Sequence, residues 1–407
     1  MALSSAGAAS SPRLNLLVLS LLVALGPMTV DLYLPTFPAL QRDLSASTVA
    51  VQLTLTATTL GLALGQLAMG PWSDVIGRRW PLLIATAVHV LASIGVALAP
   101  SIGWVLVLRV LQGAGAAGGA VVTMAIVRDL YTGRSFMHAL ARLALVTGIA
   151  PVIAPAVGSQ LLRWVDWRGI FVCVAAYGAS ILILAILVLR ETLSTERRGA
   201  GDVRTVLLRY STVLTDRAFV GVAFIGGMIV SGVFAYMTSS SFLLQQVYGL
   251  DANGYSLVFA FNAIAFVAGT QITARVAGRF SPRTILGVTL PTLAIAGLSV
   301  AGTSRLGLGL VALVICTVVF HLAAGASGPC LSMIGMAPHA ARAGTAAALL
   351  GAVNFGLGGI LSPVVGVLGV RSAEPVGLVM GAVGITAVFL FAVLVRPTHV
   401  EADTANS

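Results

Sequence analysis

The sequence predicts an all-α membrane protein with twelve transmembrane helices in two six-helix pseudo-repeats. Three observations carry this: the 407 residues are 58% hydrophobic and only 9% charged, twelve apolar runs are long enough to span a bilayer, and one long polar connection divides those runs into six and six. Soluble domains are about a quarter charged, so the side chains that would cover a surface in water are missing here.

The runs fall near residues 14–37, 49–70, 80–99, 102–127, 143–162, 169–189, 218–248, 254–274, 284–304, 306–337, 343–369 and 375–395. A helix needs roughly 20 mostly apolar residues to cross a hydrocarbon core about 30 Å thick. Strands of a membrane barrel would be about 10 residues long with alternating polarity, and these runs are too long and too evenly apolar for that. The first run exceeds a signal-peptide core and eleven more follow it, so it is expected to be a retained helix.

All 23 basic residues are arginines, and their distribution reads as topology. With alternate connections assigned to alternate sides, seventeen arginines fall on the side of the N-terminus, five on the other, and Arg109 lies within a run. The positive-inside rule then puts both termini in the cytoplasm. The net charge of +10 is spread over short loops, so it does not point to a nucleic-acid partner. Cys173, Cys316 and Cys330 fall within runs at no ligand spacing and read as small core residues.

The long polar connection, "RETLSTERRGAGDVRTVLLRYSTVLTDR", sets the organisation: a cytoplasmic N-terminus over 1–13, an N-terminal six-helix bundle over 14–190, a cytoplasmic linker over 191–217, a C-terminal six-helix bundle over 218–396 and a cytoplasmic tail over 397–407. Two equal helical halves of this kind build transporters with a substrate site between them near the midplane. The repeat leaves a weak trace: "GQLAMGPWSDVIGRRWPLL" after the second run and "TQITARVAGRFSPRTILG" after the eighth align Gln66 with Gln271 and Arg78 with Arg283.

Of thirteen acids and twenty-three arginines, only Asp31 and Arg109 sit well inside runs. A charge at a helix centre costs about 2.5 to 3.5 kcal/mol on insertion scales, and intramembrane ionisable groups mark proton or substrate paths. At 1.5 Å per residue both lie roughly 10 Å below the same membrane edge, so they share a layer. Burial and a nearby guanidinium act in opposite senses on a carboxyl, and Arg keeps its charge throughout. Asp31 is thus expected to exchange a proton beside a fixed cation, with a structural ion pair or a side chain snorkelling to the interface as the plainer alternative.

Around these two, Arg109, Gln112, Gly113, Ala116 and Ala120 recur on one helix face, and Gly115 with Gly119 makes a small-xxx-small pair suited to close helix approach. Pro27, Pro35 and Pro38 can interrupt the first run. Gly148, Pro151, Pro155 and Gly158 line one face of the fifth. Gly70, Asp74, Gly77, Arg78 and Arg79 form a tight loop after the second, and Asp129 stands at the foot of the fourth. Tyr33, Tyr236, Phe261 and Phe355 are candidates to line an apolar cavity, although aromatics in such helices more often pack or anchor. No phosphate-cradling loop, metal-ligand cluster or nucleophile with its base stands out. No cofactor or metal is therefore expected, and the energy source would be an ion gradient rather than ATP.

These residues carry a resemblance. "GQLAMGPWSDVIGRRWPLL" looks like the loop signature of the major facilitator superfamily, "RVLQGAGAAGG" resembles its fourth-helix arginine motif, and "GIAPVIAPAVGSQLL" resembles its antiporter motif. With "DLYLPTFPAL", "VRDLY" and "DWRGIF" added, the chain is similar to the bicyclomycin and chloramphenicol resistance (Bcr/CflA) branch of drug:proton antiporters, most of all over residues 28–171. The resemblance implies the major facilitator fold and a bacterial cytoplasmic (inner) membrane protein. It implies export of a small hydrophobic drug-like substrate in exchange for protons, by a protein working as a monomer in the lipid bilayer. It also implies proton coupling at Asp31 and Arg109, a cytoplasmic gate latch in which Asp74 and Arg78 pair with the other half or with Asp129 when the transporter faces outward, and a leak-limiting hinge at the Gly-Pro face. Ala154 and Ser159 depart from the general antiporter pattern, where Gly is usual. The alternative is proton-coupled transport of a small metabolite on the same fold.

Overall fold

The computed structural model describes residues 12–199 and 203–395. Twelve of its helices are long and apolar enough to cross a membrane, and no strand occurs among the described residues. The first half contains α1 (Pro12–Asp31), a single 3₁₀ turn (Leu34–Thr36), α2 (Phe37–Asp43), α3 (Thr48–Ile76), α4 (Arg79–Ala97), α5 (Ile102–Leu130), α6 (Gly133–Leu161) and α7 (Trp167–Val188). After α8 (Val203–Leu214), the second half contains α9 (Arg217–Phe242), α10 (Ala252–Val276), α11 (Pro282–Arg305), α12 (Gly309–Met336), α13 (Ala343–Leu361), α14 (Val364–Leu368) and α15 (Glu374–Leu390). Residues 1–11 and 396–407, where the terminal segments were expected, lie outside the described residues.

Polar residues at the run ends start the helices. Ser47, Asp166, Asp216, Asp251 and Ser281 each accept a backbone N–H of the first turn they precede, which satisfies donors that a helix leaves open at its N-terminus. Several of the chain's few acids are thereby engaged outside the apolar layer. The connection between the halves is more ordered than a polar linker: the Tyr210 hydroxyl of α8 donates to the Leu67 carbonyl of α3 at 2.8 Å, and Val213 packs with Phe219 and Ala346. The side of the molecule carrying α8 and the α3–α4 loop is called the linker face below.

Within each half two helices cross at backbone contact, and the crossings match. Gly61 of α3 abuts the Val110 carbonyl and Ala114 amide of α5, as Gly269 of α10 abuts the Leu322 carbonyl and Ala326 amide of α12. Reciprocally, Gly113 meets the Thr58 carbonyl and Gly325 meets the Phe266 carbonyl. Any side chain there would strike main chain, so these positions fix the register of the repeat. That register displaces the sequence alignment by three residues: it sets Gly61, not Leu64, against Gly269, and Gln66 does not correspond to Gln271. Helix sequences this uniform in Ala, Leu and Val hold little to align on.

The halves meet chiefly toward the face opposite the linker. Gln160 Nε2 donates to Asn253 Oδ1 at 2.9 Å, Ser159 and Ser256 share a short hydrogen bond, Gln245 Nε2 donates to the Pro35 carbonyl at 3.2 Å, and the Phe37 and Phe242 rings lie 5.9 Å apart. Deeper in, Gln52 Nε2 donates to Ser239 Oγ at 3.2 Å and Thr56 Oγ1 to the Gly359 carbonyl at 2.7 Å. The protein is drawn closed on that face.

Candidate transport site

α1 ends at Asp31, and the chain turns through Leu32 and Tyr33 before the short 3₁₀ segment. Pro35 and Pro38 cannot donate a backbone hydrogen bond, which accounts for the interruption. The break places Asp31 at a helix end. Asp31 is buried, and its Oδ1 has no hydrogen-bond partner.

Arg109, on α5, is wholly buried and reaches the chain on either side of Asp31. Its Nη1 donates to the Thr29 carbonyl at 3.1 Å and to Gln112 Oε1 at 2.5 Å. Its guanidinium lies over the Tyr33 ring, 3.9 Å from the centroid, with Phe171 at 5.5 Å. A cation over a ring is worth about 2 kcal/mol or more when desolvated. Nη2 has no partner, and among the described residues no ion pair joins Arg109 to Asp31. The shared depth read from the sequence holds in space, whereas the plainer alternative of a structural ion pair does not.

A second tier of hydrogen bonds orients the guanidinium. Gln112 Nε2 donates to Ser93 Oγ at 2.7 Å, Ser93 Oγ to the His89 carbonyl at 2.7 Å, and His89 Nδ1 meets the Gln112 carbonyl at 3.1 Å. Tyr33 bonds through its hydroxyl to Thr54 Oγ1 at 3.1 Å. Gln112 is marked in the sequence by its place on the Arg109 face, whereas His89 carries no such mark. The signal available was spacing: His89 and Ser93 lie four apart, one turn of the same face. The small residues of α5 serve three neighbours, Gly113 against α3, Gly115 against Ala85 and His89 of α4, and Gly119 against Leu22 of α1.

The other candidates separate into those near this centre and those away from it. Gly158 of α6 abuts the Leu32 carbonyl, directly after Asp31, and Gly148 faces Val267 of α10. The Pro155 carbonyl accepts from Ser256 Oγ at 3.1 Å, so the Gly148, Pro151, Pro155 and Gly158 face runs along the seam between the halves. Tyr236 is buried on α9, accepts from Asn262 Nδ2 at 2.8 Å and lies edge-on to His321, with ring centroids 5.1 Å apart. Phe355 packs on Phe234, at 6.1 Å between centroids. Phe261 is corrected: it is 49% exposed and shares its helix face with exposed Leu257 and Ile264, away from the Ser256 and Val267 side that meets α6. An apolar residue on a membrane helix is as well placed against lipid as against a cavity, so periodicity could not have sorted it.

The residues expected to form the gate cluster on the linker face. Arg78 pairs with Asp74 at 2.5 Å and with Asp129 at 3.2 Å, all within the first half. Gly77 has φ of +108°, and a side chain there would collide with the Glu191 carboxylate. Glu191, unremarked in the sequence, accepts the backbone N–H groups of Arg78 and Arg79 at 2.8 and 3.2 Å and those of Thr192 and Leu193. Burial pushes this carboxyl up, but the four N–H bonds outweigh burial and hold it below the usual carboxylate range. Gly70 faces Val121 of α5, and the Arg79 guanidinium donates to the Ile186 carbonyl at 3.0 Å.

Fold and site together define a two-halved polytopic membrane protein with a buried ionisable centre in its first half. A family model described as Major Facilitator Superfamily matches residues 19–363, and the chain belongs to that superfamily. It is 37% identical over 89% of its length to an uncharacterized MFS-type transporter, YdgK, of Bacillus subtilis, covering 90% of that protein. A bicyclomycin resistance protein homolog of Haemophilus influenzae is 27% identical over 92% of this chain and 94% of its own. The multidrug resistance protein MdtL of Klebsiella pneumoniae is 29% identical over 81% of this chain and 82% of its own. Among solved structures, the xylose transporter XylE of E. coli in a partially occluded inward-open conformation shares the fold with a TM-score of 0.75 at 14% identity, covering 95% of this chain and 98% of that one.

Proposed function

We propose that this chain is a proton-coupled efflux transporter, an antiporter that exports hydrophobic antibiotic-like or multidrug substrates such as chloramphenicol- or bicyclomycin-type compounds by alternating access. One observation carries the reading: Asp31 and Arg109, buried in the membrane layer at a helix break, each keep a polar atom without a partner. Ionisable side chains within membrane-spanning segments mark proton or substrate paths, and no ion pair between these two neutralises the centre among the described residues. The names of two relatives, a bicyclomycin resistance homolog and a multidrug resistance protein, support the substrate class.

In this reading the linker face and both termini are cytoplasmic, as the arginine distribution requires, the membrane is the bacterial cytoplasmic (inner) membrane, and the protein works as a monomer. Closure of the opposite face then makes this the inward-facing state. Asp31 takes a proton from outside, which favours drug release there, and yields it inside, which resets the site. Arg109 stays charged, so the site is net positive with Asp31 protonated and neutral with it ionised. A substrate therefore meets a different field in the two states. The Gly148 to Gly158 face of α6 is the hinge along which the halves part, and the Arg78 cluster holds the cytoplasmic loop in shape.

The test is transport into inverted membrane vesicles across a panel of antibiotics with an imposed proton gradient. Gradient-dependent uptake of at least one compound, lost in Asp31→Asn and Arg109→Ala, is the expected result. Substrate-dependent proton flux surviving both substitutions sinks the proposal, and a gradient response to small metabolites alone turns it toward metabolite transport.

A further inference from the structure

α3 meets the second half through neutral groups, and one of its bonds there exists because a helix rung is missing. The Ser362 amide donates to the Gly358 carbonyl at 3.1 Å, so the next rung would run from residue 363 to the Gly359 carbonyl. Residue 363 is proline, which has no N–H to give. Thr56 of α3 takes its place from across the seam, its Oγ1 donating to the Gly359 carbonyl at 2.7 Å. Glycine is required for this approach, because a side chain at 359 would collide with Thr59 Oγ1.

The same stretch of α3 touches the ionisable centre. Thr54 bonds the Tyr33 hydroxyl through its own at 3.1 Å, and its carbonyl accepts from Arg109 Nε at 3.5 Å. Gln52 and Thr56, two residues to either side, reach the second half instead. Gln52 Nε2 donates to Ser239 Oγ at 3.2 Å, and its Oε1, without a hydrogen-bond partner, rests against Gly366. Every group in this contact is neutral, so the contact itself does not titrate. It is also built to be reversible. Ser362 Oγ already donates to the Gly359 carbonyl at 3.2 Å, so that carbonyl keeps a partner when Thr56 leaves. A threonine in a helix can in turn bond the carbonyl four residues back. The penalty for an orphaned buried group is thereby avoided on both sides of the seam.

We propose that Thr56 is the latch of the opposite face, a positioning residue that holds α3 on the proline-freed Gly359 carbonyl while that face is closed and lets go when the halves part there. α3 then carries the state of the ionisable centre, met at Thr54, to the second half at Thr56. This rests on the alternating-access reading above and assigns to it a contact that breaks on the way to the outward-facing state.

The test follows the gate itself, with protons as the only ligand. Full-length protein in lipid nanodiscs, its three cysteines replaced, carries spin labels at exposed Leu98 and Leu306 on the opposite face, or at exposed Met137 and Phe280 on the linker face. Distances between the labels are read as pH is lowered. In the wild type the share of the long opposite-face distance should grow as Asp31 takes its proton. Thr56→Val, which removes the donor and keeps the shape, should raise the open-to-closed ratio on that face about fivefold at each pH, the effect of one buried hydrogen bond. The linker-face pair should shift toward its short distance, and Thr56→Ser should restore the wild-type ratio. Pro363→Ala supplies the missing N–H as a rival to Thr56, so it should raise the ratio too, and it should add nothing to Thr56→Val. Should Thr56→Val not assemble, Pro363→Ala carries the test alone. An unchanged ratio in the variant that stands, or a lower melting temperature with both label pairs unmoved, overturns the latch and leaves the transport reading in place. A ratio that responds to Thr56→Val but not to pH keeps the latch and overturns the proton coupling. No long opposite-face distance at any pH, in wild type or variant, overturns both.

Discussion

In the first half the Arg109 guanidinium lies over Tyr33 while Tyr33 bonds Thr54; in the second, the His321 imidazole lies against Tyr236 while Asn262 bonds Tyr236. The glycine crossings that match Gly61 with Gly269 and Gly113 with Gly325 also match Thr54 with Asn262 and Arg109 with His321. The scaffold of ring, helix-crossing polar group and basic side chain is therefore repeated. Its charge is not repeated: Asp31 precedes Tyr33 by two, and Phe234 stands at that place before Tyr236. A repeated fold has kept its geometry in both halves and concentrated its ionic chemistry in one.

The most severe way to break that comparison is to exchange the weight of its two basic groups. Arg109→Lys should reduce gradient-driven transport at least about a hundredfold, since two charge-assisted bonds at about 1.5 to 3 kcal/mol each are disturbed and a lysine cannot reproduce the planar stacking. His321→Gln removes a bond to the Thr317 carbonyl and one edge contact, and should cost only about fivefold, the effect of about 1 kcal/mol. Equal losses in vesicle transport would mean that the second half shares the ionic work.

Scaffold symmetry predicts the opposite pattern, equal effects. Gly113→Leu and Gly325→Leu each force a side chain into facing main chain, and overpacking of this kind costs typically about 1 to 3 kcal/mol. Thermal unfolding in detergent should fall by similar amounts for both. A large drop in one only would show that the matched crossings bear unequal load.

A smaller contrast separates the two loops at equivalent places. The α3–α4 loop is tied by Glu191 from the segment after α7, whose carboxyl is held below its ordinary value, and the segment at the equivalent place in the second half, beyond residue 395, lies outside the described residues. A lowered folded-state pKa contributes stability that is present above the unfolded value and lost as pH falls through the folded one. Melting curves should therefore show an acid-side loss of stability that Glu191→Gln flattens, with the variant less stable near neutrality. An unchanged acid limb would mean that the loop is held by the Arg78 pairs alone.

Charge made parts of this legible in advance. Asp31 and Arg109 are conspicuous because they are the only ionised side chains deep within apolar runs, and depth along a helix follows from residue count. Their lateral relation does not follow, and the structure sets Arg109 on the Thr29 carbonyl and the Tyr33 ring instead of on Asp31. His321 and Asn262 were illegible for a different reason. Neutral polar groups in membrane helices contribute about 0.6 kcal/mol on average and are common as interhelical bonds, so nothing in the sequence distinguishes one that completes a site. Glu191 sat unnoticed in a charged linker because its four partners are backbone N–H groups, which no side-chain pattern reveals.

The mildest test concerns two aromatic residues on neighbouring helices of the second half. Tyr236 is buried, with its hydroxyl bonded to Asn262, and Tyr236→Phe would leave the Asn262 amide short of an acceptor at a place where its Oδ1 is already unpartnered. Such a loss is typically about 1 to 3 kcal/mol for a buried polar group, enough to alter transport of some compounds in an antibiotic panel severalfold. Phe261 faces outward at 49% exposure, and substitutions at exposed positions usually stay within about 0.5 kcal/mol. Phe261→Ala should therefore leave both the panel and the melting temperature close to wild type. If instead Phe261→Ala changed the substrate range and Tyr236→Phe did not, the drug path would run along the outer face of α10, and the seam would lose its claim to be where substrate is held.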